Sequence, residues 1–234
     1  IRRTQAQDNA GNQIKTNGPT RIENSVLVGN CSYFEKKPFT YHVDSCRAAG
    51  NTLALTLRPG STAAIVNNTL TGEGDCLVEV LCEGSCTQAD TVRMRNNIFL
   101  GQPDFLQPFE KTCFVYWENF PSNPVDTDYA IIHNVKDSPC PVGGHHICRS
   151  PGLASEALAY FDAHLQPGSP AIDAGTADGA PQVDLDNRPR DAQPDIGAYE
   201  FLPAAAWLWL PLVLGGTGQE RLGAACTAGV RASW

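Results

Sequence analysis

The chain has 234 residues, with 25 acidic against 17 basic side chains and a formal net charge of -8 at pH 7. This length allows a sizeable hydrophobic core in one domain, and 21 glycines with 17 prolines indicate many turns. The acidic balance argues against nucleic acid as a partner, because neutralising phosphates requires a basic surface. It suits an exported protein or the capture of divalent cations, and charge alone does not decide between these two.

Three eight-residue segments, 22–29, 65–72 and 94–101, repeat one pattern. Each begins with an apolar residue, has asparagine two positions later and continues through a hydrophobic stretch to a glycine. Strand-rich repeats at such intervals are typical of a solenoid, in which each repeat packs on its neighbours. The first interval is the longer one, and residues 51–57 within it alternate like another strand. We therefore expect an extra coil in that interval.

The asparagines of the three octads, Asn24, Asn67 and Asn96, have a structural explanation. A β-helix coil bends sharply between its sheets, and asparagine tolerates the left-handed backbone conformation that such a bend requires. Stacked asparagine side chains also hydrogen-bond from coil to coil, which satisfies amide groups that would otherwise be buried without partners. We predict that these three residues form a ladder along the solenoid and do not bind a ligand.

Nine cysteines are many for this length, and in an oxidising compartment they predict several disulfides plus one odd thiol. Cys140 and Cys148 bracket a loop with His145 and His146, which allows a disulfide, free thiols or a metal site. We favour the disulfide, because structural zinc sites usually contain short C-x2-4-C pairs and the chain has no CxxC. Among the three cysteines at 76–86 we expect a local bridge, with one of them pairing elsewhere. The disulfide candidates are Cys31, Cys46, Cys76, Cys82, Cys86, Cys140 and Cys148.

Downstream of the octads, residues 129–135 (YAIIHNV) are predicted to form the strand of the last full coil. Residues 154–164 are predicted to form a helical turn or two, with Leu158 and Phe161 apolar on one side. Such a turn is expected to cover the end of the solenoid, where an unpaired strand edge would otherwise invite aggregation.

Segment 165–201 is loop-like, since its many prolines and glycines leave no room for a helix or a long strand. It reads LQPGSPAIDAGT, then a short acidic spacer, then DLDNRPRDAQPDIGAYEF. This closely resembles the C-terminal closing segment of bacterial right-handed parallel β-helix proteins of the choice-of-anchor type, within the pectate-lyase-like superfold. The resemblance implies an all-β, right-handed parallel β-helix over residues 1–201, closed by 165–201, in a secreted or cell-surface protein.

Residues 202–234 differ from the rest of the chain in amino-acid composition. Residues 202–216 are apolar and uncharged, but a membrane helix needs about 18 or more such residues, and a proline interrupts them. The resemblance implies that this tail is a remnant of an anchor or sorting segment, with a read-through or frame artefact as the alternative. The chain does not open with a secretion signal, so we expect the signal of an exported protein to precede Ile1.

The long, flat faces of a β-helix suit a linear polymer, and the resemblance implies polysaccharide lyases, hydrolases and adhesins among its relatives. Fold alone does not establish function. We expect a monomer that binds an extracellular carbohydrate polymer, with Tyr116 and Trp117 stacking on apolar sugar faces. A structural stalk or adhesin that binds nothing small is a further alternative. The chain lacks a nucleophile elbow, a phosphate-binding loop and a dinucleotide fingerprint.

The alternative hypothesis is that the protein is an enzyme that acts on a polysaccharide. A lyase needs a base beside a substrate carboxylate, and Ca²⁺ or arginine to neutralise that carboxylate. A hydrolase needs paired carboxylates, but the aspartates of 165–201 are expected to satisfy loop amides instead. Asp184 and Asp186 are alternative Ca²⁺ ligands, since hard oxygen ligands two residues apart suit that ion. The catalytic candidates are Arg93, Arg95, Lys111 and His133.

Overall fold

The computed structural model describes residues 1–9, 11–35, 50–136, 140–141 and 143–203. Across these residues, parallel strands wind into a right-handed β-helix whose three sheets run along its axis, which confirms the predicted fold class. Sheet 1 contains β1 (Gln5–Gln7), β4 (Val26–Gly29), β7 (Thr69–Gly72), β10 (Ile98–Gly101), β13 (Ala130–His133) and β14 (His146–Ile147). Sheet 2 contains β2 (Ile14–Asn17), β5 (Leu53–Leu57), β8 (Cys76–Cys82) and β11 (Cys113–Glu118). Sheet 3 contains β3 (Thr20–Glu23), β6 (Ala63–Val66), β9 (Val92–Arg95) and β12 (Val125–Asp128).

Each coil supplies one strand to sheet 1, then one to sheet 2 and one to sheet 3, before the chain returns to sheet 1. The register places the octad glycines Gly29, Gly72 and Gly101 side by side on neighbouring strands. The expectation of an extra coil in the first interval is therefore wrong, because Gly29 and Gly72 belong to consecutive coils. The additional residues lie in the connection from β4 to β5, which contains the short helix α1 (Cys31–Glu35).

Residues 129–135 supply β13, as predicted, but they do not begin another three-strand coil. In the part of the chain that the structure describes, only β14 follows in sheet 1, and sheets 2 and 3 end at β11 and β12. The β13 strand therefore closes the last turn of the solenoid.

The core is a stack of inward-facing side chains that repeat from coil to coil. Leu27, Leu70 and Phe99 lie in register inside sheet 1, and Leu55 and Val80 do the same inside sheet 2. All five side chains are buried completely. Burial of a side chain of this size stabilises the fold by roughly 1.5–3 kcal/mol relative to its exposure.

The corners between sheet 3 and sheet 1 have the predicted left-handed asparagines. Asn24, Asn67 and Asn96 have φ values of 48°, 53° and 57°. Of the predicted ladder, one rung is present, from Asn96 Nδ2 to Asn67 Oδ1 at 3.1 Å. Asn24 instead donates to the carbonyl oxygen of Val183. The outer sides of these asparagines therefore hold the segment that follows the solenoid.

A continuous, fully buried ladder lies one residue further along each coil. The backbone N–H of Ser25 donates to Asn68 Oδ1, and the N–H of Asn68 donates to Asn97 Oδ1, each at 2.9 Å. Asn68 Nδ2 also donates to the carbonyl oxygens of Ile22 and Val66. These bonds satisfy backbone groups at corners that water does not reach.

The disulfides follow the coils. Cys76–Cys113 links neighbouring strands of sheet 2, while Cys82–Cys86 is local, as expected for that group of cysteines. Cys140–Cys148 closes the predicted loop, so these two sulfurs are not metal ligands beside His145 and His146. Cys31 is also disulfide-bonded, and Cys46 lies outside the described residues.

Residues 154–164 form mainly a hairpin, and the predicted helix is wrong apart from one 3-10 turn. Apolar residues alternate here, so Ala163 and Leu165 pack on Val28, Ile98 and their neighbours on the outer face of sheet 1. The hairpin thus covers the side of the solenoid rather than its end. Its elements are β15 (Leu153–Ser155), the 3-10 turn (Leu158–Tyr160) and β16 (Asp162–Leu165), with β15 and β16 antiparallel.

Residues 165–201, the closing segment, are held together by buried charges. Arg190 and Glu200 form an ion pair at 2.7 Å, and both side chains are almost completely buried. The Arg190 guanidinium also donates to Asn24 Oδ1 and to the carbonyl oxygens of Asp195 and Gly197. Burial, with the neighbouring Asp195 carboxylate, raises the pKa of Glu200 to about 7.

Ile1–Phe201 form one compact unit. Of the described helices, none has the length and apolar character needed to cross a membrane. The predicted anchor remnant at 202–234 lies outside the described residues, apart from Leu202 and Pro203.

Asn68→Ala is expected to lower the free energy of unfolding by about 3 kcal/mol, because it leaves the Ser25 N–H buried without a partner and removes the amide hydrogen bonds to the carbonyl oxygens of Ile22 and Val66. Urea unfolding measures the change. Asn119→Ala, at an exposed residue that also has positive φ, serves as the control and is expected to cost less than about 1 kcal/mol. Equal losses in the two variants would contradict a special role for the buried ladder.

Arg190→Met is expected to destabilise the protein by about 3 kcal/mol at pH 8, since it leaves the Glu200 carboxylate buried without its counter-charge. Folding raises the pKa of Glu200 from 4.5 to about 7, so the folded protein holds this proton to higher pH than the unfolded chain does. Stability from this group is therefore present at low pH and is lost as the pH rises through about 7. The penalty of Arg190→Met should shrink at pH 5, where Glu200 is neutral. Urea unfolding at both pH values tests this, and a pH-independent penalty would refute it.

Candidate functional site

The basic residues considered for catalysis lie on different surfaces. Arg93 and Arg95 project from β9 in sheet 3, while Lys111 belongs to the loop before β11. His133 ends β13 in sheet 1. Because three separate surfaces carry them, these four residues do not form one catalytic centre.

Both arginines of β9 form ion pairs with carboxylates. Arg93 pairs with Asp178 of the closing segment and Arg95 with Asp126 of β12, each at 2.6 Å. A shallow cavity of about 580 Å³ beside Arg93 also contains Arg21, whose guanidinium donates to a closing-segment carbonyl oxygen. The arginines of sheet 3 therefore attach the closing segment and stabilise the sheet.

The aromatic pair Tyr116 and Trp117 is divided between two faces of β11. Tyr116 is in register with Glu79 on the outer face of sheet 2, whereas Trp117 is in register with Val80, which is buried in the core. Trp117 retains some exposure because β11 is the edge strand of its sheet. The two rings therefore do not form one stacking surface.

Asp184 and Asp186, the alternative Ca²⁺ ligands, face different surroundings. Asp184 is fully buried and accepts the backbone N–H groups of Arg188 and Glu200 at 2.8 and 2.9 Å. Asp186 pairs with His164 and Arg188. Protein groups engage both carboxylates, and across the described ranges no cluster of side chains is suited to hold a metal ion.

A groove follows the edge at which sheet 1 turns into sheet 2. It consists of three adjoining cavities of about 260, 400 and 450 Å³, which we name proximal, central and distal. Gln7 lines both the proximal and the central cavity, while Ser32 and Glu73 line both the central and the distal cavity. The shared lining residues show that the three cavities adjoin one another, and we call them together the strand-end groove.

Successive coils supply the strand-end groove with residues that follow their sheet 1 strands. Asp8 follows β1, Asn30 follows β4 and Glu73 follows β7, while the fourth coil contributes loop 102–112 after β10. Neighbouring strands are about 4.8 Å apart, so the groove extends roughly 14 Å along the axis from the first coil to the fourth. Its polar groups thus repeat at an interval similar to the length of one sugar unit in a linear polysaccharide.

None of the residues that line the groove stands among the site residues predicted from the sequence. A signal exists for two of them, Asn30 and Glu73, because each is a polar residue that directly follows the final glycine of an octad. The connections that begin there differ in length, and only the strand register brings them together.

Helix α1 holds the centre of the groove in place. The Glu73 carboxylate accepts hydrogen bonds from Ser32 N at 2.8 Å and from Ser32 Oγ at 3.0 Å. Asn30 Oδ1 accepts the N–H of Tyr33 at 3.0 Å, as an N-cap side chain does. These bonds position one carboxylate, one amide and one aromatic ring along the wall of the central cavity.

In the proximal cavity, His164 is clamped between two carboxylates. Its Nδ1 lies 2.6 Å from Asp162 Oδ1, its Nε2 lies 3.1 Å from Asp186 Oδ2, and its ring stacks on Tyr199 at 3.8 Å. Burial alone would lower the pKa of His164, but the hydrogen bonds to the two aspartates outweigh burial and raise it. Gln5 Nε2 donates to the Tyr199 hydroxyl at 2.8 Å. Because both ring nitrogens are occupied, His164 supports the cavity wall and is not a free base.

The strand-end groove is acidic. Its described lining residues include Asp8, Glu73, Asp104 and Asp162, and neither lysine nor arginine is among them. Anionic groups of a ligand would be repelled here, whereas hydroxyl and amino groups would find acceptors.

Asp162 of the proximal cavity does not have the property expected of the acid in glycoside hydrolysis. A carboxyl group that protonates a leaving group needs a raised pKa. Burial acts to raise the pKa of Asp162, but its hydrogen bonds with His164 outweigh burial and lower it. Glu200, whose pKa is raised, is buried in its ion pair with Arg190 and is not among the described residues that line the groove.

Comparison with protein-family models, with curated proteins and with solved structures finds no match to this chain. Its function is accordingly inferred from the strand-end groove and from the chemistry of the residues that line it.

Proposed function

We propose that this protein is exported and binds a linear extracellular carbohydrate in the strand-end groove without cleaving it. The observation that carries the proposal is that a polar residue follows the sheet 1 strand in consecutive coils: Asn30 and Glu73 lie at equivalent register positions, and Asp8 lies one position earlier in its coil. A polymer with a regular repeat can make the same contact with each coil, so its binding energy accumulates along the groove.

The side chains of the groove match the hydrogen bonding of sugars. Hydroxyl groups both donate and accept, and the amides of Gln5, Gln7 and Asn30 do the same, while the Glu73 carboxylate accepts. The partly exposed ring of Tyr33 offers an apolar face beside these polar groups. Planar polar groups around an aromatic ring suit a pyranose, which has apolar faces and a polar rim.

The negative charge of the groove indicates which class of polysaccharide it can bind. Carboxylates without lysine or arginine among the described lining residues disfavour polyuronates through like-charge repulsion. A neutral or amino-substituted polysaccharide is therefore the proposed ligand, and a polyuronate lyase is disfavoured for the same reason.

The disulfides support an extracellular location. Disulfides such as Cys76–Cys113 and Cys140–Cys148 are typical of oxidising surroundings outside the cytoplasm. The polymer that we propose as ligand is found in the same surroundings.

The double variant Gln7→Ala/Glu73→Gln is expected to bind its polysaccharide about tenfold more weakly, because it removes hydrogen-bonding groups shared by neighbouring cavities. Affinity electrophoresis through gels that contain a β-glucan, xylan, polyglucosamine or polygalacturonate measures binding. Reducing-end release and absorbance of unsaturated products measure cleavage in the same samples.

Glu79→Gln, on the outer face of sheet 2, is the matched control and should bind like the unaltered protein. Retardation by the neutral or amino polymers, without products, agrees with the proposal. Retention of none of them, formation of products, or an equal loss in the control variant would each refute it.

A further inference from the structure

The loop that forms the outer wall of the distal cavity is built rigidly. Residues 102–112 fold back on themselves through an antiparallel bridge between Pro103 and Lys111 and a hydrogen bond from Thr112 N to Gln102 O at 2.9 Å. Asp104 Oδ1 accepts two N–H groups of the same loop, at 2.9 and 2.6 Å. Asp104 is buried and is used within the loop, so it shapes the cavity wall rather than contacting a ligand.

This loop is also tied to the centre of the groove. The N–H of Phe105 donates to the carbonyl oxygen of Glu73 at 2.8 Å, and Thr112 Oγ1 donates to the carbonyl oxygen of Gly72 at 2.6 Å. The disulfided Cys113 follows immediately. The position of the loop relative to the Glu73 carboxylate is therefore set by covalent and hydrogen bonds on both sides.

At its tip the loop presents a fully exposed aromatic ring. Phe109 is 102% exposed, and Leu106 beside it in the loop is 37% exposed. Pro108, which directly precedes Phe109, lines the distal cavity together with Phe105 and Leu106. This apolar ring buries no surface in the fold itself, and because the hydrogen bonds of the loop already order its backbone, binding a ligand has only the side chain left to order.

We propose that Phe109 is the outermost sugar-stacking residue of the strand-end groove and provides one subsite beyond the distal cavity for the apolar face of a pyranose ring. The inference rests on the proposed function, since it requires that a carbohydrate occupies the groove. The central and distal cavities share Ser32 and Glu73, and the distal cavity extends to Pro108, the residue that directly precedes Phe109. Aromatic faces and the C–H faces of sugars are both apolar, so their contact removes surface from water on both sides.

Because Phe109 is placed beyond the distal cavity, its contribution to binding is expected to depend on the length of the oligosaccharide. A short oligosaccharide held in the central cavity does not reach Phe109, whereas a longer one does. Phe109→Ala is therefore expected to weaken binding of long oligosaccharides by about fivefold to tenfold and to leave the binding of short ones unchanged.

The experiment measures dissociation constants of the whole chain by calorimetry, with β-1,4-linked glucose and glucosamine oligomers of increasing length. Phe109→Tyr retains an aromatic ring and is expected to bind all lengths normally. Tyr116→Ala removes an exposed aromatic ring on the outer face of sheet 2 and serves as the control for unspecific stacking. Because Phe109 is fully exposed, its replacement should leave the thermal unfolding temperature unchanged.

The outcomes separate this inference from the proposed function. Loss confined to long oligomers in Phe109→Ala, with recovery in Phe109→Tyr, supports the distal subsite. If the unaltered protein binds these sugars and Phe109→Ala binds every length equally well, the subsite is refuted while the proposed function stands. An equal loss at all lengths would refute the distal position. Failure of the unaltered protein to bind any oligomer would overturn the inference and would count against the proposed function.

Discussion

Pairing between equivalent residues of consecutive coils is the constraint on which this structure depends. Because every strand of a sheet is in register with its neighbours, one position in the repeat becomes a column along the solenoid. Leu27, Leu70 and Phe99 form such a column inside sheet 1, and Asn68 and Asn97 form one at the corner. The same pairing aligns the strand ends, so core, corners and groove are consequences of a single register.

The closing segment gives sheet 1 a second buried face. The outward residues of its strands pack on the hairpin and on the residues around Ala171, Ile196 and Ala198. The Arg190–Glu200 pair and the outward sides of the corner asparagines fix where the segment lies. With one face of sheet 1 filled by the core and the other by this segment, its strand ends border the accessible groove.

The sequence predicted the features that recur locally and missed those that depend on the register. The octads correctly marked strands and left-handed corners, but the buried ladder lies one residue later, because Asn67 and Asn96 each precede a second asparagine and the pattern does not tell which one faces inward. Cys82–Cys86 follows from spacing, whereas Cys76–Cys113 requires knowing that β8 and β11 are neighbours. The groove was missed for the same reason, since the connections that line it differ in length.

Those connections differ systematically between the two kinds of corner. From sheet 3 to sheet 1 the chain crosses in one or two residues, at 24–25, 67–68, 96–97 and 129, whereas from sheet 1 to sheet 2 it uses 8–13, 30–52, 73–75 and 102–112. The first kind of corner carries the buried ladder and has nearly constant length, while the connections at the second kind differ widely in length. A change in the length of a connection at the second edge would therefore alter the surface beside the strand ends and leave the core columns and the buried ladder in place.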